Sequence, residues 1–380
     1  MKIKIMHIAQ SAGGVFRYLE TMVKYSDINR YDITLILSED YIRYESYLKK
    51  YVKNIEIISI KREINLINDF NAIREISHLV KLYSPDLIYA HSSKAGALVR
   101  ISCIFNKTPI IYNAHGWAFN IKTKFYKRQI YSLIERLLAY RTTKIINISK
   151  FELQSAISNK IANNSKLELI YNGIETKETD DIYQTDYILQ AKLDKWENNI
   201  VPTIIGAVGR ISRQKSPLDF VELAHKVLLN NSNCLFLWVG DGEDRYEMEK
   251  AIEEKGIGDK IFITGWVDNP RSYIKKFDIA LLLSEWEGFG LVLAEYMLEK
   301  KPVIATRVDA IPELIEHEVN GITINVHDID QACSSIIKYI NNPLLAQKYA
   351  ELSYEKVKTQ FNINRVVEEH EQLYRKILGE

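Results

Sequence analysis

The sequence predicts an α/β protein built from two doubly wound parallel sheets that face each other across a cleft. Three observations carry that expectation. Short β-branched runs alternate with longer amphipathic stretches from end to end, the rhythm of βα units feeding a parallel sheet. The rhythm breaks once, over an acidic polar stretch, and then restarts. The chain has 380 residues, about twice the size of one ordinary domain.

In the first half, KIKIMHIA, YDITLILS, NIEIISI, DLIYAHS, PIIYNA, KIINIS and LELIYNG read as strands, each followed by helical spacing. Past the turn dipeptide Asn172-Gly173 the chain is polar and lacks strand alternation. A linker is therefore expected at 174–200, closing a first domain of residues 1–173. TIIGAVGR, CLFLWVGD, KIFITGW, DIALLLS, PVIAT and ITIN then supply a second sheet within 201–362. From Ile324 onward the pattern is helical. Its last segment, 363–378, carries Ile363, Val366, Val367, His370, Leu373, Tyr374 and Ile377 at helical spacing and is expected to pack back on the first domain.

Composition excludes several classes. With 47% hydrophobic and 26% charged residues the chain can build two cores, which rules out a disordered or fibrous protein. Lys and Arg number 50 against 49 Asp and Glu, so no overall field calls for nucleic acid. Cys103, Cys234 and Cys333 lie far apart, without zinc-site spacing or a disulfide framework. A reducing compartment fits them, and neither metal nor cofactor is expected. The apolar stretch Ile5 to Ala9 is too short for a signal-peptide core and no run approaches a bilayer span, so the expected location is cytoplasmic.

Charge is nevertheless uneven. Residues 91–150 hold eleven basic residues, at 94, 100, 107, 122, 124, 127, 128, 136, 141, 144 and 150, against the single acid Glu135. Among them Phe125, Ile130, Leu133, Ile134, Leu137 and Leu138 recur at helical spacing, the pattern of a basic amphipathic helix that can lie on anionic lipid. Burial of that apolar face in the domain is the alternative.

Open parallel sheets bind ligands just past the carboxyl ends of their strands. The informative residues fall there. Gly13 and Gly14 follow the first strand at a helix start, where exposed amides suit a phosphate, although such a turn also takes glycine for conformation alone. The spacing of GAVGR at 206–210 is wrong for a dinucleotide fingerprint. Arg210 and Lys215, ahead of Ser216-Pro217, combine a forked donor with a movable point charge and make an anion clamp, unless they are ordinary solvated loop cations.

The richest segment is SEWEGFGLVLAE. Glu287 lies on its loop, Gly288, Phe289 and Gly290 let the backbone approach a ligand, Leu291 opens a helix, and Glu295 lies inside that helix. Carboxylates accept only, as vicinal sugar hydroxyls require. Gly240-Asp241-Gly242 and Gly265-Trp266 end neighbouring strands and either wall a base or ribose or simply punctuate the fold. In the first half His115, before Gly116, is the stronger site candidate. His91 reads more as a structural histidine, and His7, inside the first strand, as core.

Taken together, the paired glycines at 13 and 14, HSSKAG, NAHGWAF, YNG, VGRISRQKSP, VGDGEDR, GWV, EGFGLVLAE and PVIATRVDAIPELI resemble, in order and over nearly the whole chain, the family-4 retaining glycosyltransferases. HSSKAG and AHGWAF are similar to those of CapM-type capsular polysaccharide enzymes. The resemblance implies the GT-B fold of two Rossmann-like domains, the second binding a nucleotide sugar and the first an acceptor. It implies that Gly13 and Gly14 border the donor phosphates and that Arg210 and Lys215 hold the diphosphate. Glu287 and Gly288 would meet the transferred sugar, the backbone of Phe289, Gly290 and Leu291 a phosphate, Glu295 the ribose, and His115 the reacting sugar and acceptor. Where the family is glycine-rich this chain reads RVDAIPELI.

The expected activity is metal-independent, retaining transfer of a hexose, an N-acetylated one first, from UDP-sugar to a lipid-linked saccharide in capsular or surface polysaccharide biosynthesis. The expected place is the inner membrane face. A UDP-sugar 2-epimerase of the same architecture and a non-catalytic, nucleotide-sugar-binding membrane adaptor are the alternatives.

Overall fold

The computed structural model of the chain describes residues 2–10, 13–61, 63–176, 189–190, 193, 196 and 201–380. The expected linker at 174–200 lies mostly outside them. Two compact units emerge, Met1–Glu175 with Phe361–Glu380, and Thr176–Gln360.

In the first unit β1 (Ile3–Ala9), β2 (Tyr31–Ser38), β3 (Asn54–Ile58), β4 (Leu87–His91), β5 (Ile110–Asn113), β6 (Lys144–Asn147) and β7 (Leu167–Leu169) form one sheet in the order β3-β2-β1-β4-β5-β6-β7. Every pairing is parallel. The strands are apolar almost throughout because both faces are covered. Alternate residues sort them: Ile3, Ile5 and Ala9 of β1 join one core with Leu87 and Tyr89, while Met6 and Ile8 join another with Ile88, Ala90 and Tyr112. Helix α1 (Gly14–Tyr25) covers the first face through Phe16, Leu19 and Val23. Helices α2 (Leu66–Tyr83), α3 (Ser93–Ser102), α4 (Phe125–Ala139) and α5 (Lys150–Ser158) lie along the remainder. Side-chain caps fix two starts, Asn65 accepting from the Asn68 amide at α2 and Ser149 from the Glu152 amide at α5.

Helix α4 departs from the buried-face alternative. It buries Ser132, Glu135 and Ala139 and turns Ile130, Leu133 and Leu137 outward, at 51%, 53% and 61% exposure. The inward carboxylate explains the inversion. Glu135 meets the enclosed Arg100 guanidinium at 2.9 Å and accepts from the Tyr112 hydroxyl at 2.8 Å, and Arg100 also lies over the Tyr112 ring. A buried ion pair so supported can hold the polar side of a helix against the domain.

In the second unit β8 (Thr203–Val208), β9 (Cys234–Val239), β10 (Ile261–Ile263), β11 (Ile279–Leu282), β12 (Val303–Thr306) and β13 (Ile322–Ile324) form a parallel sheet in the order β10-β9-β8-β11-β12-β13. Helices α6 (Pro217–Asn230), α7 (Arg245–Glu254), α8 (Leu291–Leu298), α9 (Ile329–Asn341) and α10 (Pro343–Gln360) accompany it. Phe220, Phe236 and Trp238 anchor its core with edge-to-face contacts. The last helix, α11 (Ile363–Leu378), returns to the first unit and adds Ile363, Val366, Val367, Leu373 and Tyr374 to the core beneath α1. The chain is therefore two Rossmann-like units. Each strand order reverses direction at one place, between β1 and β4 and between β8 and β11, and there the carboxyl ends open a crevice for ligand.

Candidate active site

In the second unit the loops after β8 and β11 meet at that reversal. Lys215 Nζ donates to Glu287 Oε1, and the Ser284 hydroxyl donates to the same oxygen at 2.7 Å. Two further bonds bind these loops together and a third ties in the loop after β12. The Glu285 amide donates to the Gln214 carbonyl at 2.8 Å, the Gln214 side chain to the Trp286 carbonyl at 2.9 Å, and the Glu287 amide to Asp309 Oδ2 at 2.8 Å. Ser216 and Asp309 hold left-handed backbone at φ 51° and 46°, strain that recurs at ligand loops. Pro217 then opens α6 at the position where its missing N–H is harmless.

Gly290 caps α8 at φ 83°, and a Cβ there would come within 2.9 Å of Ile311, so the turn admits only glycine. Phe289 is buried, Gly288 and Leu291 are part-buried, and Glu295 sits part-buried on α8. Arg210 stands apart from Lys215. Its exposed guanidinium pairs with Glu243 at 2.6 Å. The two cations of the expected clamp thus each rest on a carboxylate of the protein. Gln214, Ser284 and Asp309 were not singled out from sequence; only their place just past strand ends could have flagged them.

In the first unit the reversal is lined by the ends of β1, β4 and β5. Gly13 caps α1 at φ −82° and ψ −127°, outside the regions that residues with a Cβ favour, and a Cβ there would meet nothing within 4 Å. His115 is part-buried at φ 55°, with its amide bonded to Asn113 Oδ1 at 2.8 Å. Its loop is tied down by Glu152, whose carboxylate accepts the Trp117 amide at 3.1 Å and whose carbonyl accepts the Trp117 indole N–H at 3.1 Å.

His91 is enclosed and so is His7, but neither is inert filling. His7 Nδ1 lies 3.0 Å from His91 Nε2, and His91 Nδ1 lies 3.0 Å from His115 Nε2. Beside them His370, on α11, lies 2.7 Å from the Tyr18 hydroxyl, which is 2.7 Å from that of Tyr89. Burial lowers the pKa of His7 to about 3 and of His370 to about 4, and pushes His91 in the same direction. Burial also lowers His115, the ring of the set most open to water. These rings are neutral near pH 7. Period-two alternation along β1, β4 and β5 was the signal that His7, Tyr89, His91 and Asn113 share one face.

The second unit carries a cation, carboxylates and a hydroxyl at its reversal, and the first unit carries imidazoles at its own. Residues 12–178 match the family model Glycosyltransferase Family 4, and residues 190–356 match Glycosyl transferases group 1. The UDP-Gal:alpha-D-GlcNAc-diphosphoundecaprenol alpha-1,3-galactosyltransferase of Escherichia coli is 26% identical over 379 residues, covering 98% of this chain and 97% of that one. The capsular polysaccharide biosynthesis glycosyltransferase CapM of Staphylococcus aureus is 25% identical over 348 residues, 88% of each chain. Among solved structures, Anabaena HepE in complex with UDP and glucose has a TM-score of 0.83 at 19% identity, covering 98% of this chain and 100% of that chain. With one glycosyltransferase model matched over residues 12–178, another over 190–356, and a Rossmann-like parallel sheet in each unit, the chain is a GT-B-fold glycosyltransferase related to the group 1 and family 4 enzymes and distantly similar to the CapM type.

Proposed function

We propose that the protein moves a hexose, with retention of anomeric configuration, from a UDP-sugar to a lipid-diphosphate-linked saccharide during assembly of a bacterial surface or capsular polysaccharide. The observation that carries this reading is the Lys215–Glu287–Ser284 cluster at the β8/β11 reversal, which supplies a cation and a hydroxyl-seeking carboxylate side by side. The Escherichia coli relative, similar along nearly its full length, supports the choice of donor and acceptor class.

The chemistry follows from charge. As the glycosidic bond breaks, negative charge gathers on the departing diphosphate, and Arg210, Lys215 and the amide end of α8 at Phe289 to Leu291 stabilise it in place. Before donor arrives the cations rest on Glu287 and Glu243. The exposed Arg210–Glu243 pair is worth roughly 0–1 kcal/mol and exchanges easily for phosphate. Lys215, drawn to the diphosphate, releases Glu287 to accept from sugar hydroxyls beside Gly288, while Glu295 takes the ribose. The backbone at Gly13 and Gly14 receives phosphate in this reading, and His115 meets the acceptor hydroxyl, whose proton leaves on the phosphate.

The same reading places the first unit on the inner face of the membrane. The outer side of α4 joins exposed Ile130, Leu133 and Leu137 to Lys124, Lys127, Arg128 and Arg136, an apolar strip with the charge complement of anionic lipid.

Incubation with UDP-galactose, UDP-N-acetylglucosamine and other UDP-hexoses, with and without a polyprenyl-diphosphate saccharide, tests the reaction. UDP release that depends on acceptor, with an α-linked product, is expected. Interconversion of UDP-sugars without acceptor would instead make the enzyme an epimerase.

A further inference from the structure

The imidazoles of His7, His91 and His115 form a line that runs from the interior of β1 across the ends of β4 and β5 to the crevice. Each link is 3.0 Å between ring nitrogens. The His7 and His91 rings are nearly coplanar, 6° apart with centroids separated by 5.2 Å, and the next pair is 29° apart at 5.3 Å. The nitrogens therefore lie between ring centres, edge to edge, as hydrogen-bonded imidazoles do. Among the described residues no group of His, Cys, Asp or Glu is placed to hold a metal ion, and a shared proton accounts for each link.

We propose that His7 and His91 are positioning residues that, through this relay, dictate which nitrogen of His115 carries the proton. A neutral imidazole has one N–H and one lone pair. If His115 Nε2 donates to His91 Nδ1, then His91 Nε2 must donate to His7 Nδ1, and His115 turns a lone pair at Nδ1 toward its remaining neighbour. The opposite sense reverses all three rings. A mixed state sets two protons or two lone pairs against each other inside the protein, where neither has water to turn to. Burial keeps the rings uncharged, so the relay has these two states and no freely protonated one near neutrality.

A second network holds the line in place. The Val366 carbonyl takes the proton of His370 Nδ1 at 2.7 Å, which leaves His370 Nε2 as acceptor. The Tyr18 hydroxyl, at 2.7 Å, and the Tyr89 hydroxyl, at 3.2 Å, both face that nitrogen and lie 2.7 Å apart, and Tyr89 accepts at 3.5 Å from Asn113, whose Oδ1 holds the His115 amide. The accepting end of this network is fixed by a helix carbonyl. It orients the His115 backbone while the imidazole line orients the ring.

The inference rests on the reading that His115 meets the acceptor. A hydroxyl nucleophile needs an acceptor for its proton-bearing edge, so the serving sense has His115 Nδ1 unprotonated and all three rings protonated at Nε2. His115 then orients the hydroxyl without keeping its proton.

The side-chain nitrogen shifts of the full chain, uniformly labelled with nitrogen-15 in histidine, give the test without substrate. Nε2–H tautomers are expected at His7, His91 and His115; a mixture of tautomers among the three overturns the relay, and Nδ1–H at all three overturns its serving sense. In the transfer assay, His7→Phe is expected to lower kcat by about tenfold with the KM for UDP-sugar unchanged. His7→Asn, whose amide stands at the position of Nδ1 and can donate or accept, is expected to restore most of the rate. Equal loss in two folded variants would overturn the positioning role. A shared tautomer in a protein with no transferase activity would sink the proposed function and leave the relay standing, whereas an active transferase with mixed tautomers would do the reverse.

Discussion

Lys215 shows how much one side chain decides. Its ammonium sits against the carboxylate of Glu287, a residue that keeps 8% exposure, so the pair is preformed. Lys215→Ala is expected to lower UDP-dependent kcat by about a hundredfold, the scale of one lost charge stabiliser at a leaving group, while the circular-dichroism spectrum stays native. Full turnover in that variant would remove Lys215 from the chemistry. The histidines make a different prediction. In the unfolded chain each protonates near the ordinary value of 6.5, whereas folded His7 and His370 hold out to about 3 and about 4. The unfolded state therefore binds more protons between those limits, and stability, complete above pH 6.5, falls as pH drops through the window by about 1.4 kcal/mol per pH unit for each ring. Urea midpoints at pH 7.5 and 5 measure it, and equal midpoints would contradict the neutral cluster. The candidate residues of the second unit were legible because glycine, Arg, Lys and Glu past strand ends carry a chemical signature. Ser284 and Asp309 were not, because Ser284 reaches Glu287 through the local turn of its loop and Asp309 takes the Glu287 amide from 22 positions away.

Helices and strands divide in the same way. The β-branched runs were readable as strands because both faces of each sheet are covered, which makes the whole run apolar. The direction of α4 was not readable, since periodicity gives two faces without saying which one turns inward. What decides is Arg100, brought to Glu135 from α3. Glu135→Ala leaves that guanidinium enclosed without its carboxylate, and a loss of about 3–5 kcal/mol is expected from denaturant titration; a loss under about 1 kcal/mol would mean the pair does not hold the helix. The outward face has its own test. Vesicles containing phosphatidylglycerol are expected to bind the protein, with binding weakened by salt and by Leu133→Glu, and neutral phosphatidylcholine vesicles to bind it poorly. Equal binding to both would detach the apolar strip from lipid charge.

At the scale of the molecule, near-zero net charge conceals a basic first unit and a second unit in which Arg210 and Lys215 already rest on carboxylates. The two sheets repeat one device, a reversal of strand order that opens a crevice, and equip it differently: ion pairs at β8 and β11, neutral rings at β1, β4 and β5. Sequence rhythm alone conveyed the device, because strand order follows from right-handed βα connections. The equipment needed coordinates wherever partners came from distant segments, as with His370 and Tyr18, 352 positions apart. The central claim is that the second crevice captures a nucleoside diphosphate through Arg210, Lys215 and the loop that begins at Glu287. Hydrogen–deuterium exchange of the full chain with and without UDP tests it most directly. Slowed exchange concentrated at residues 209–217 and 284–295 is the expected result, and saturating UDP that leaves both segments unchanged would contradict it.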